Sequence, residues 1–155
     1  MAKWQTYADR PAVEDAIGRA LNGAHIARYT YGIVYWEFFL ISANGVENKL
    51  VASELRVPDA SAWWRALKGG PIPLHAKEDA EHSICGLIAA HSTNSPVQSW
   101  KLDATCGLML QFENGGSLYL PPVVDPNLGY SWRMDMVDKS SVICEAGDLY
   151  VRRTA

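Results

Sequence analysis

Residues 97–120, VQSWKLDATCGLMLQFENGGSLYL, decide how the chain is read. Leu108, Leu110 and Phe112 alternate with Met109, Gln111 and Glu113. Successive side chains on a strand point to opposite faces, so this period marks a strand with one face buried. Asn114-Gly115-Gly116 breaks the run, and Leu118 and Leu120 resume it. Asn-Gly accepts the positive φ angles of a tight turn, so the stretch predicts a β-hairpin.

Upstream lies a helical stretch, 59–90. Asp59 is placed to cap a helix that carries Trp63, Trp64 and Leu67 and closes at Gly69-Gly70. Adjacent residues on a helix point about 100° apart, so one Trp buries beside Leu67 and the other sits at an edge. Pro71-Ile72-Pro73 forms a rigid linker. A further helix over 76–90 places Ala80, Ile84, Leu87 and Ile88 on one face, with Glu78, Asp79 and Glu81 at the positive end of its dipole.

Further back, 24–31 and 33–42 read as strands around Gly32. Both faces of the second are largely apolar, which predicts a strand covered on both sides. Asn44-Gly45 turns the chain into a strand at 49–57 that ends at Pro58. A short helix precedes these strands, opened by Asp9 and Pro11, periodic in Val13, Ile17, Ala20 and Leu21, and stopped by Asn22-Gly23. Residues 1–10 read as a loosely held lead-in, with Trp4 and Tyr7 docking on the body. Downstream, Tyr130, Trp132, Met134 and Met136 alternate as a strand, and 141–145 and 149–152 form a last hairpin around Ala146-Gly147-Asp148.

These elements predict a single α+β domain, 1–155, with about three helices packed on one side of a mostly antiparallel sheet of meander hairpins. Gly32 and Gly107, and the turns Asn44-Gly45 and Asn114-Gly115, occupy similar places. The order admits two β-rich half-repeats, 24–57 and 97–152, joined by the helical insertion 59–90; ordinary meander grammar produces the same order without duplication.

Composition narrows the function classes. The chain has 155 residues, 48% of them apolar, and a net charge of -3. That length builds a core without staples. No basic stripe runs along it, which argues against nucleic acid as partner. Cys85, Cys106 and Cys144 are odd in number and far apart, which suggests a reducing compartment and no disulfide framework. The start of the chain has no apolar signal-peptide core, and no run approaches the ~20 residues of a membrane helix. The expectation is a soluble, cytoplasmic protein with no membrane partner.

No catalytic motif stands out. GxGxxG, GxxxxGK[ST], CxxC and HExxH are all absent. Glu78 and His82 share a helix face and form the weak metal alternative, but the same spacing is that of an ordinary exposed helix pair. His75, His82 and Cys106 are the candidates for acid–base or nucleophilic work, with no partner group identifiable from spacing; an isolated Cys is more often a small buried hydrophobe. Asp103, Glu113, Asp135 and Asp138 read as solvated turns and strand faces. The six Trp and seven Tyr are dense for this length, and core packing accounts for most of them. Tyr29 and Tyr31 share parity on one strand; with Trp64 they are the protein-binding candidates, since aromatic residues anchor interfaces. No catalytic residue and no cofactor is assigned.

One resemblance adds a lead. LMLQFENGGSLYL, then SWRMD, then SSVICEAGDLYVRR resemble small β-rich bacterial immunity-type proteins found beside polymorphic toxins. The matching residues are Phe112, Asn114, Gly115, Leu118, Trp132 and Arg133, in roughly the last third of the chain, with an echo in the first. The helical insertion departs from that pattern. The resemblance implies a cytoplasmic, non-catalytic protein that binds and blocks a toxin domain, and it carries over no binding residues. The alternative is a small enzyme or small-ligand-binding protein with a pocket between sheet and helices.

Overall fold

A computed structural model describes residues 4–7, 9–32 and 35–154. Among these residues, ten strands form two antiparallel sheets, accompanied by three α-helices. The fold is α+β, as the pattern predicts.

Strand β1 spans Trp4–Tyr7 and helix α1 spans Arg10–Leu21. Strands β2 (His25–Tyr31), β3 (Trp36–Ile41) and β4 (Glu47–Ala52) form an antiparallel meander. Helices α2 (Ala60–Lys68) and α3 (Lys77–Ser92) follow, with a 3-10 turn at Leu74–Ala76 between them. A second meander consists of β5 (Val97–Leu102), β6 (Leu108–Phe112) and β7 (Ser117–Leu120). The chain closes with β8 (Trp132–Asp135), β9 (Ser141–Glu145) and β10 (Asp148–Thr154).

The larger sheet has the order β1-β10-β9-β8-β4-β3-β2, and β5-β6-β7 form a separate sheet. The stretch 97–152 is therefore divided between two sheets, its last three strands extending the sheet begun by β2–β4. Each meander follows a helix and a left-handed residue (Gly23, φ 70; Asn94, φ 66) and opens with a strand bulged near its start.

Alternation places Trp36, Phe38 and Leu40 of β3, Leu50 of β4, Trp132 and Met134 of β8, and Val142 of β9 in the core. The small sheet contributes Leu108, Leu110, Phe112, Leu118 and Leu120 to the same cluster. Val13, Ile17 and Leu21 of α1 and Ile84, Cys85 and Ile88 of α3 complete it. Burying so many large apolar side chains is the main stabilising term, at roughly 1.5–3 kcal/mol each before entropic costs.

Several expectations change: the strand read over 49–57 ends at Ala52, and on α2 neither Trp is fully buried and Leu67 is 51% exposed. The lead-in is not loose where it is described, because β1 pairs with β10 from Trp4↔Thr154 to Tyr7↔Val151; residues 1–3 and 8 lie outside the described residues. Strand β3 is covered on one face only. Glu37, Phe39 and Ile41 are half-buried on the other face, where the Arg28 guanidinium lies 4.0 Å from the Phe39 ring centre and Lys49 reaches Glu37 at 3.6 Å. A long cationic stem lying along an aromatic ring replaces a second protein layer there. Of the residues expected to line this strand, Ile33 and Val34 lie outside the described residues. On α3, the inward face carries Cys85, while Leu87 is 43% exposed.

The Asn114-Gly115-Gly116 turn does more than reverse the chain. Asn114 Nδ2 donates to the His91 carbonyl at the end of α3 at 2.6 Å, and the Asn114 N–H donates to Ser95 Oγ at 3.1 Å. Gly115 has φ 91, and a Cβ on Gly116 would collide with Ser92 Oγ. Glycine is required at the first for its φ and at the second for close approach to α3.

Candidate functional site

Helices α2 and α3 and the backbone after β4 enclose an open cleft of about 1010 Å³. Four stretches distant in sequence build it. The end of β2 and the start of β3 supply Tyr31 and Trp36; residues 53–62 supply one wall, α3 the other, and Asp125 a corner.

The wall at 53–59 is held extended by the larger fold. Arg56 pairs with Tyr119 of β7 through two backbone hydrogen bonds, each 2.8 Å. This pairing turns Leu55 and Val57 into the core and leaves Glu54 and Arg56 facing outward. Asp59 then begins α2 as its N-cap residue without a side-chain capping bond, so its carboxylate is not committed to the helix end.

Across the cleft, α3 presents Glu78, Glu81 and His82. The His82 ring meets Tyr31 edge-on at 4.5 Å, and Tyr31 lies 4.5 Å from Trp36. Trp36 is buried and stacks on Phe38, so it backs the cluster rigidly, whereas Tyr31 is 49% exposed at the rim. Five carboxylates line the cleft, from Glu54, Asp59, Glu78, Glu81 and Asp125, against the cationic or titratable groups of Arg56 and His82. Arg56 is engaged by Glu54 at 2.9 Å, and Glu81 meets Lys77 at 3.9 Å. Among the described ion pairs, none neutralises Glu78 or Asp59. Carboxylates thus outnumber cationic groups along the cleft, and its low-dielectric walls concentrate the field of those left unpaired.

Nucleophilic chemistry is poorly provided for. The Cys85 thiol lies at the cleft floor and donates to the Leu55 carbonyl at 3.2 Å. Burial, then the charges of Glu81 and Glu54, push it up to about 11, so it stays protonated at neutral pH. Ser53 Oγ sits 2.9 Å from the Val123 carbonyl and 3.0 Å from that of Ser131, so its hydroxyl is held by backbone. Among the described residues, no three or more His, Cys, Asp and Glu side chains are grouped to hold a metal ion, and Glu78 with His82 gains no third ligand.

Beside the cleft, α2 rests on the surface with none of its residues buried. Trp63 packs against His91 of α3 at 5.4 Å. Leu67 is one turn beyond Trp63, and Leu87 one turn before His91, so both exposed leucines flank that contact. Leu74, in the turn after α2, is 93% exposed. Trp64 is half-buried, with the Lys68 ammonium 5.9 Å from its ring centre.

The three protein-binding candidates from the sequence are spread over this region. Tyr31 lies in the cleft and Trp64 on α2. Tyr29 points inward, its ring against Trp36 and Phe38 and its hydroxyl donating to the Gly86 carbonyl at 3.2 Å. His82 meets Tyr31, and Glu78 lines the same cleft. Cys106 does not line it. Its thiol is buried, and the Arg10 guanidinium donates to it at 3.6 Å. Glu54, Arg56 and Asp125 were not singled out from the sequence as site residues. The one usable signal was the run of charges flanking Pro58, which reads equally well as a strand end.

No protein-family model matches the chain, and no curated protein or solved structure matches it either.

Proposed function

We propose that this protein is a non-catalytic binding module that docks another protein on the α2–α3 face, and that it serves as a cytoplasmic immunity protein neutralising a bacterial toxin domain. The observation that carries the binding reading is α2 itself. A short helix bearing two Trp and an exposed Leu, with none of its residues buried, lies beside an acidic cleft. Large aromatic and aliphatic side chains left half-covered are what interface anchors look like before a partner arrives. The toxin assignment rests on the sequence resemblance of the β6–β7 hairpin and the last three strands. Three free, buried cysteines accord with a reducing compartment. No helix among the described residues is long and apolar enough to cross a membrane.

The test is co-expression with toxin domains encoded beside the gene. A complex on a sizing column and rescued growth support the reading, provided both are lost in Trp64→Ala/Leu67→Ser. Growth that is never rescued, with no complex formed, removes it. The cleft also supports a second reading, a small-ligand-binding protein. Thermal shift against a panel of small molecules distinguishes it: a stabilising ligand whose effect disappears in Tyr31→Ala favours that reading.

A further inference from the structure

We infer that the cleft receives a basic polypeptide segment, with an arginine or lysine side chain entering between the Tyr31–His82 rings and Glu78 while its apolar neighbours cover α2. This rests on the protein-binding reading and specifies the partner chemistry. Charge is the first argument. The whole chain carries only -3, yet five carboxylates line one cleft; Glu54 is met by Arg56, Glu81 by Lys77, and Asp125 accepts from the Asn127 and Leu128 N–H groups, which leaves Glu78 and Asp59 without an ion pair among the described residues. A second negative surface would be repelled, which disfavours acidic proteins and nucleic acid.

The rings are the second argument. An exposed tyrosine braced by a buried tryptophan offers a fixed aromatic face beside carboxylates, the combination that holds a desolvating cation by charge and quadrupole together. The chain already uses this pairing internally, with Arg133 4.9 Å from the Tyr130 ring centre and Arg28 4.0 Å from that of Phe39. Shape is the third. The cleft is as large as the upper range of small-molecule sites but open, and it runs beside the exposed α2 with Trp64 and Leu67. A segment with a cationic residue flanked by apolar ones fits both parts, and a lone cation would fill only one.

The experiment titrates the full-length chain with acetyl-hexaarginine amide and follows backbone amide shifts by NMR. Hexaglutamate and calcium chloride serve as separate controls. The expected shifts cluster on Tyr31, residues 54–62, Glu78, Glu81 and His82. Affinity falls about tenfold in Glu78→Gln/Glu81→Gln and falls again as NaCl rises from ~50 to ~300 mM. Both glutamates are exposed on α3 and the replacements are isosteric; Tyr31→Ala, with folding checked by circular dichroism, weakens binding independently. Shifts centred instead on Glu37 and Asp135, unchanged affinity in the Gln variant, or calcium alone reproducing the pattern would each overturn the inference. If hexaarginine fails while a toxin complex still forms and depends on Trp64 and Leu67, the protein-binding reading stands and only the basic-segment assignment falls.

Discussion

Two glycines of this chain should respond to the same substitution in opposite directions. Gly107 follows the β5–β6 turn, where a Cβ would strike the Tyr119 hydroxyl and the Asp103 carboxylate. Those two groups are hydrogen-bonded to each other, and Asp103 Oδ1 also accepts from the Thr105 and Gly107 N–H groups at 2.9 and 2.8 Å, so none can yield without breaking the others. Gly107→Ala is expected to destabilise by about 2–4 kcal/mol. Gly86 lies in α3 with nothing within 4 Å of its virtual Cβ. Gly86→Ala is expected to stabilise by about 0.5–1 kcal/mol through helix propensity. Urea unfolding of the two variants measures both signs; a stabilised Gly107→Ala would contradict the packing described. The same neighbourhood sets the pH response. Burial, then the Asp103 hydrogen bond and charge, push the Tyr119 phenol up to about 12, and burial pushes the Cys144 thiol, like Cys85, up to about 11. A group raised in the folded state contributes stability that is complete below its ordinary value, 9.0 for the thiols and 10.0 for the phenol, and is lost as pH rises through the folded value. Stability should therefore fall between pH 9 and 12, with ~3 kcal/mol at stake for each buried thiol. Burial works to raise the Asp103 carboxyl, but the hydrogen bonds it accepts outweigh this and hold it below its ordinary 3.8, so its contribution is lost only as pH falls below that value. Cys85→Ala/Cys144→Ala should flatten the alkaline limb of a denaturation series, and an unchanged limb would assign it elsewhere.

At the scale of elements, α2 and α3 are neighbours of unlike dependence. The six buried residues of α3 include Ile84, Cys85 and Ile88 of the shared core, whereas α2 has none. Ile84→Ala should cost about 2–5 kcal/mol, and Leu67→Ser less than about 0.5 kcal/mol. In native-state hydrogen exchange, α2 should open locally at lower free energy than α3; equal protection of the two would mean that α2 is tied to the core more firmly than its exposure implies. This contrast was only half legible in the sequence. Strict alternation over 108–112 and 118–120 gave the β6–β7 hairpin its inner face, because the turn fixes its register locally. Gly69, with φ 77, ended α2 where a left-handed cap was expected. Strand β1 was illegible because four residues offer too little period, and its pairing is with the far end of the chain. The open face of β3 was misread because Phe39 and Ile41 look buried to a periodicity argument that cannot see Arg28 folding over the ring. The cleft was least legible of all. Tyr31 on its strand and the pair Glu78 and His82 on their helix are legible separately, but their meeting with Glu54 and Asp59 in one cleft depends on where 53–59 is pinned by β7, and no local spacing records that.

At the scale of the molecule, the two sheets share one apolar core and, among the described residues, are stitched by backbone at two places. Arg56 and Tyr119 exchange both of their backbone hydrogen bonds at 2.8 Å. At the other side, Val97 N donates to the Ala24 carbonyl at 2.7 Å, and Asn94 N to that of Ile26 at 2.9 Å. The segment 97–120 is thus tied to the larger sheet through the strands at both its edges, and to α3 through the Asn114 turn. Such an arrangement should unfold as one unit, because neither sheet keeps its apolar face covered without the other. Two variants at one position separate the stitch from the side chain. Arg56→Ala keeps both backbone bonds and loses only an exposed ion pair with Glu54, at a cost of about 0.5 kcal/mol or less. Arg56→Pro removes the N–H that Tyr119 accepts, at a cost of about 2–3 kcal/mol. It also frees the 53–59 wall of the cleft. Far-UV circular dichroism reports all strands, whereas the red shift of tryptophan emission on unfolding reports water reaching Trp36 and Trp132, which are buried in the larger sheet, with a smaller change from the part-exposed Trp63, Trp64 and Trp100. The two signals should give one midpoint in the parent and in Arg56→Ala. Coincident but lowered midpoints in Arg56→Pro would identify the backbone stitch as part of a single cooperative core. Split midpoints in the parent would mean that the sheets are independent, and that the cleft wall moves with the small sheet rather than being fixed by it.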